Sequence, residues 1–376
     1  DDHDRSNRYA ARDFGANYLK SCDKEAIIFC NGDNDTFPLW YNLEVEQERD
    51  DVRACNLSYL QTDWYISQMK RPYYNSPGLP ISWEEKDYMP GKNEVVWVEN
   101  RLNAPLEVKK AFQFLHSDDP RTKRDGEGYI PSDQLYVLSP DSQKIMFKKA
   151  RRFTRSEMMV MEMLSTNEWQ RPMYFAVTIG SDYHLGLDPY LELTGLAYRI
   201  TPERSADGRP RVNTEVMYDN MLHKFKYGNM NVPGIYIDEN TMRMCRTHRM
   251  MFMELAEALY NEGKHDKCLE VLDFAEEMLP GYNIPYDYTS ATMASYYYRL
   301  GEMDKANAVM TQIADNCAEY MVWGASLPKE QRASSQSTLG HQMAVLGYVL
   351  QNFERYEQKE LFNYYYDIYA QYASMR

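Results

Sequence analysis

One stretch, residues 26–41, constrains this chain more than any other. An apolar run (Ala26, Ile27, Ile28, Phe29, Cys30) stops at Asn31-Gly32-Asp33-Asn34-Asp35, and Thr36-Phe37-Pro38 opens a helix-like pattern. That order reads as a buried strand, a tight polar loop and a helix with proline near its start. The helix is expected over about residues 37–47, and a second strand over residues 51–57 follows it closely. Compact strand–helix–strand units build parallel sheets. In open α/β sheets, ligands bind in the loops at the carboxyl ends of the strands. The loop Asn31, Asp33, Asn34, Asp35, with two carboxylates and two amides, is therefore the first candidate site.

Around this unit the pattern stays α/β. A helix over residues 6–19 carries Tyr9, Ala10, Phe14, Tyr18 and Leu19 on one side, and another over residues 63–70 carries Trp64, Tyr65, Ile66 and Met69. Strands are expected at 94–98, 134–138, 172–178 and 195–200, with a helix near 106–115 and long loops at 71–92 and 118–128. Thr154-Arg155-Ser156-Glu157 fits a capping box, and Met158, Met159, Val160, Met161 and Met163 behind it read as core packing. The expectation for residues 1–236 is a Rossmann-like α/β domain with a mostly parallel sheet.

From residue 237 to 376 the pattern is helical only. Ala256, Leu259, Gly263, Cys268, Leu272, Ala275 and Pro280 fall at the spacings of a tetratricopeptide-type helix pair. A second copy runs through Ala294, Tyr297, Gly301, Ala306, Met310 and Ile313. The two glycines stand 38 residues apart, against about 34 in the standard repeat, so a longer inter-repeat loop is expected. A third pair, near 338–354 and 359–373, lacks the signature. Such a domain packs or binds and carries no chemistry of its own.

Composition excludes some partners. A net charge of −14 argues against nucleic acid. No run approaches the roughly 18 apolar residues of a membrane span, although the absence of a leader or an initial methionine carries little weight, since the chain reads as a fragment or a processed form. The six cysteines show no C-x-x-C pair and read as small buried hydrophobes. Walker, G-x-G-x-x-G, G-x-S-x-G and H-E-x-x-H motifs are all missing.

Asp33 and Asp35 could hold a divalent cation, because two carboxylates on one loop supply hard oxygen ligands. The structural alternative is that Asn34 or Asp35 caps the following helix, where a carboxylate meets unpaired amides. His3, Asp4 and Arg5 precede the first helix; Asp4 or Ser6 would cap it, or His3 and its neighbours would fold back on the loop. Asp63 and Trp64, just after the second strand, would form the other wall of the same crevice, with the indole suited to stacking on a sugar face.

DDHDRS at residues 1–6, NGDNDTFPLWY at 31–41, DVRACNLSYLQTDWYI at 51–66 and WQRPMYFAVT at 169–178 together resemble a bacterial membrane-protein family of unknown function. The multi-pass amino-terminal half of that family is similar to protein O-mannosyltransferases of the GT-C type. The resemblance is strongest over the first 180 residues and reaches YIDENTMRM at 236–244. It implies that this chain is the soluble carboxyl-terminal portion of such a protein, facing the periplasm at the inner membrane. Its partners would be its own membrane domain and an acceptor peptide, a glycan or a protein. The family supplies no catalytic residues to carry over. The leading expectation is a non-catalytic accessory module without an organic cofactor. A metal-dependent enzyme acting on a glycan or phosphate substrate at Asp33 and Asp35, and a purely structural scaffold, are the alternatives.

Overall fold

The computed structural model describes residues 6–373. The chain forms two compact units, residues 11–228 and residues from 229 onward together with those up to 10. The division falls a few residues before the change of pattern at 236. The reason is local bonding in the helical unit. The Tyr282 hydroxyl donates to Asn231 O at 2.6 Å, and Asn283 Nδ2 donates to Met230 O and Val232 O, both at 2.8 Å. Arg8 is held there too, donating to Tyr236 O at 3.2 Å and pairing with Asp238 at 3.4 Å.

The α/β unit is organised by strand β1 (Ile27–Cys30), whose four residues are all buried. It lies between β2 (Arg53–Asn56) and β3 (Met173–Ala176) and runs parallel to both, with Ile27 opposite Arg53 on one side and Met173 on the other. Continuous burial without alternation is what a strand covered on both faces requires. The sheet continues through β4 (Leu191–Leu193), β5 (Ala197–Ile200) and β6 (Arg211–Val212) in the order β6-β4-β5-β3-β1-β2. It is a mixed sheet and not a mostly parallel one, because β5 pairs antiparallel with both β3 and β4. Only Thr194-Gly195-Leu196 joins β4 to β5, and so short a connection can serve only antiparallel neighbours. Gly195 makes it possible: at φ +147° a Cβ there would meet Ser21 Oγ at 2.6 Å.

Helices α1 (Ala10–Lys20), α2 (Asp33–Glu44), α3 (Asp63–Met69) and α4 (Arg155–Asn167) accompany the sheet. The α4 capping box forms as the sequence indicates, with Thr154 and Glu157 bonded reciprocally, and its methionines are buried. The expected strand at 94–98 appears as Val95–Trp97, paired with Arg152–Thr154 outside the main sheet. All six cysteines are buried and unpaired.

The second unit is all-helical: α5 (Glu239–Asn261), α6 (His265–Met278), α7 (Tyr288–Arg299), α8 (Met303–Ser326), a short helix Lys329–Ser334, α9 (Gln336–Arg355) and α10 (Lys359–Ala373). Gly263 and Gly301 follow α5 and α7 at φ +74° and +85°, the left-handed geometry that ends a helix at a glycine. Ala256, Leu259, Cys268, Leu272 and Ala275 bury the first helix pair, and Ala294, Tyr297, Ala306, Met310 and Ile313 the second. Among the described residues no helix is long and apolar enough to cross a membrane.

Candidate functional site

Strands β1, β2 and β3 end side by side, so three segments meet beyond their carboxyl ends: Asn31-Gly32, Leu57-Ser58 and Val177-Thr178. The polar stretch after β1 is mostly helix. Helix α2 starts at Asp33, four residues before the sequence pattern suggests, with Gly32 as its N-cap at φ 85°, ψ 167°. That region of backbone space is open essentially to glycine alone. Pro38 consequently lies inside α2, and no side chain caps the helix. Neither Asn34 nor Asp35 takes the capping role the sequence suggests. Asp33 and Asn34 are exposed on the first turn, where a carboxylate is favoured by the helix dipole.

Asp35 has turned inward and is only 3% exposed. Its Oδ1 accepts from the Tyr18 hydroxyl of α1 at 3.0 Å, and its Oδ2 accepts from Thr178 Oγ1 at 2.5 Å. Tyr18 and Thr178 also contact each other at 2.9 Å. This triangle joins α1, α2 and the segment after β3. The chain order places β2 on one side of β1 and β3 on the other, so the β1/β3 gap is the topological switch point where open α/β sheets seat ligands. Here the protein's own hydrogen bonds close it. Burial raises the Asp35 pKa, opposed by the bonds from Thr178, Tyr18 and the Asn31 backbone.

The β1/β2 side is bonded as fully. Asn31 Oδ1 accepts from Ser58 Oγ at 2.6 Å. Asn56 Nδ2 donates to Thr36 Oγ1 at 2.7 Å, and Thr36 Oγ1 donates to Gly32 O at 2.8 Å. The Tyr65 hydroxyl accepts from Asn56 N at 2.9 Å. Asp63 opens α3, half-buried, and beside it Trp64 is 55% exposed. Trp64 ends an aromatic row that runs from Phe37 through Trp40 and Tyr59, with neighbouring ring centroids about 6 Å apart. Phe37 is 53% exposed.

Of the sequence-derived candidates, Asn31 and Asp35 thus belong to one polar network. Asp33 and Asn34 face away from it, and Trp64 belongs to an aromatic surface. His3, Asp4 and Arg5 lie outside the described residues. Among the described residues, no group of three or more His, Cys, Asp or Glu is placed to hold a metal ion. Both Asp35 oxygens already accept bonds from the protein. Sequence reasoning missed Tyr18, Thr178 and Tyr59, whose roles come from long-range pairing. It also passed over Arg53, although a cation inside a buried strand was a legible signal.

Residues 11–220, more than half of the chain, match the family model described as TMEM260-associated domain 2. No curated protein and no solved structure matches it.

Proposed function

The chain belongs to the TMEM260-associated domain 2 family, and from that premise we propose that it is a non-catalytic recognition module of a membrane-embedded, protein O-mannosyltransferase-like glycosyltransferase. In this reading it faces the periplasm beside its own membrane domain and binds acceptor peptide, glycan or a partner protein. The family description supports the membrane-protein context. The transferase link rests on the resemblance of the motifs at 1–6, 31–41, 51–66 and 169–178.

One observation carries the reading. The polar groups at the strand ends are bonded to one another, whereas the adjoining surface of α2 and α3 exposes large rings. Phe37, Tyr41, Trp64, Tyr73 and Tyr74 are each more than 40% exposed, and clustered aromatic side chains of this kind form recognition surfaces. We take the α/β unit as Rossmann-like on the β1–α2–β2 passage between adjacent parallel strands. The helical unit reads as tetratricopeptide-like on the equivalent glycine turns at 263 and 301. No specific observation favours the metal-dependent alternative.

The test is a binding screen of the whole 376-residue chain against immobilised glycans, unfolded peptides and periplasmic extract. Binding that drops at least tenfold in a Phe37→Ala/Trp64→Ala double variant is the expected result. A chain that binds nothing in any of the three classes is not a recognition module. Millimolar magnesium, manganese or calcium raising Tm by several degrees would favour the metal-dependent reading instead.

A further inference from the structure

A cavity of ≈ 250 Å³ opens between α2, β2, α3 and the Tyr73-Tyr74 segment. Among the described residues, Trp64 is the only sequence-derived candidate that lines it. Five of its thirteen lining residues are aromatic, Trp40, Trp64, Tyr65, Tyr73 and Tyr74, and Arg53 of β2 lies among them at 4% exposure. Arg53 Nη2 donates to Gln68 O at 3.3 Å and Arg71 O at 3.1 Å. Its Nη1 is buried with no hydrogen-bond partner among the described residues.

Arg53 leaves an Nη atom without an acceptor, which the other buried arginine of this unit, Arg155, does not, although Arg155 Nε also lacks a partner among the described residues. Arg49 and Arg171 are half-buried. Arg49, Arg155 and Arg171 each place both Nη atoms on backbone carbonyls or side-chain oxygens. A buried charged donor left unpaired forfeits its hydration without a replacing bond, which is costly. The Arg53 guanidinium therefore has bonding capacity that an oxygen from outside the chain would fill.

The surroundings narrow the chemistry of that oxygen. Glu44 and Asp50 line the same cavity. Glu44 accepts from the Tyr73 hydroxyl at 2.8 Å and the Tyr74 hydroxyl at 2.9 Å, and Asp50 accepts from Asn75 Nδ2 at 2.8 Å. Two carboxylates beside one guanidinium repel an anion such as phosphate. A cation, which an aromatic box with two carboxylates would suit, offers no acceptor to the Arg53 Nη1 donor. What remains is a neutral molecule with oxygen acceptors and flat apolar faces. The cavity is also smaller than the roughly 300–1,000 Å³ of sites for drug-sized ligands.

We infer that this cavity is a saccharide subsite seating one neutral pyranose ring, its C–H face against the aromatic walls and one ring or hydroxyl oxygen accepting from Arg53 Nη1. The inference rests on the recognition reading and assigns it a ligand class. The Tyr73 ring lies 5.4 Å from the guanidinium carbon and is itself 44% exposed. Admitting the sugar oxygen requires this ring to turn outward and release its hydroxyl bond to Glu44.

The experiment titrates the whole chain with neutral methyl glycosides of the common hexoses and with their disaccharides. Binding is followed by calorimetry and by the indole NMR signal of Trp64. At least one sugar is expected to bind and shift that signal, and Arg53→Met and Trp64→Ala are each expected to weaken it at least tenfold. Trp64→Ala alters an exposed side chain and keeps the test open should Arg53→Met fail to fold. Inorganic phosphate binding more tightly than every sugar would overturn the neutral-ligand assignment. Peptides shifting Trp64 while no sugar does would overturn the saccharide subsite and leave the recognition reading standing. A chain silent to sugars, peptides and proteins alike would overturn both.

Discussion

Two buried arginines, one in each unit, differ in how they are bonded. Arg249 of α5 is 2% exposed and donates from Nη1 to Pro285 O at 3.1 Å and from Nη2 to Leu279 O at 2.8 Å and Ile284 O at 2.9 Å. Its guanidinium also lies over the Tyr286 ring at 5.4 Å. It fastens the segment between α6 and α7 and leaves neither Nη atom idle. Arg53 is almost as deeply buried, yet one Nη has no acceptor and a cavity adjoins it. The same side chain at similar burial acts as a structural clasp in the helical unit. At Arg53 it is only partly bonded, although Arg155 of the same α/β unit, 2% exposed, is a clasp through both its Nη atoms. On the recognition reading, a clasp keeps both Nη atoms on the chain's own carbonyls and a binding arginine holds one back.

The largest expected effect tests that contrast directly. Arg249→Met strands three carbonyls and is expected to cost roughly 3–5 kcal/mol in denaturant unfolding. Arg53→Met loses only two long bonds and is expected to cost about 1–2 kcal/mol. Equal losses would break the comparison.

Next in size is an opposite response to pH. Burial holds the His248 imidazole down at about 4. Its contribution is complete above the ordinary value of 6.5 and is lost as pH falls toward 4, by on the order of 3 kcal/mol. Asp35 has a raised pKa from burial. Its contribution is present below 3.8 and is lost as pH rises through the raised value. Five of the six tryptophans lie within residues 11–228, so fluorescence follows the α/β unit and far-UV circular dichroism is weighted to the helices. His248→Gln and Asp35→Asn should each flatten one slope and leave the other. A variant that flattens both would show that the units do not titrate separately.

The smallest effects concern two glycines with the same φ of +85°. At each, a Cβ would meet nothing within 4 Å, so the cost of alanine is conformational alone. Gly32→Ala, at ψ 167°, should lose roughly 1–3 kcal/mol. Gly301→Ala, at a left-handed helix end, should lose about 1 kcal/mol. Thermal unfolding of the two variants resolves the difference.

Much of the fold was legible because the evidence for it is local. Ile27–Cys30 could only be a covered strand, Thr154 and Glu157 announced α4, and Gly263 and Gly301 marked equivalent turns. The errors came where the evidence was not local. The stretch Asp33–Asp35 looked like a loop because its residues are polar, but a glycine N-cap and the helix dipole make those residues a good first turn. The bonds of Asp35 were not legible because its partners, Tyr18 and Thr178, stand 17 residues before it and 143 after it. Arg53 was visible as a cation in an apolar strand, but the cavity beside it was not.

The sequence by itself determined an α/β unit followed by helices, the elements that bring Asn31, Asp35 and Trp64 near the strand ends, and a membrane-protein family context. Only the tertiary structure decided that the switch point is closed, that the sheet is mixed, and that the unmet donor lies beside the aromatic cavity. Periodicity and capping are properties of neighbouring residues and survive in a string of letters. Whether a carboxylate or a guanidinium is satisfied depends on which distant atoms the packed chain brings within 3 Å.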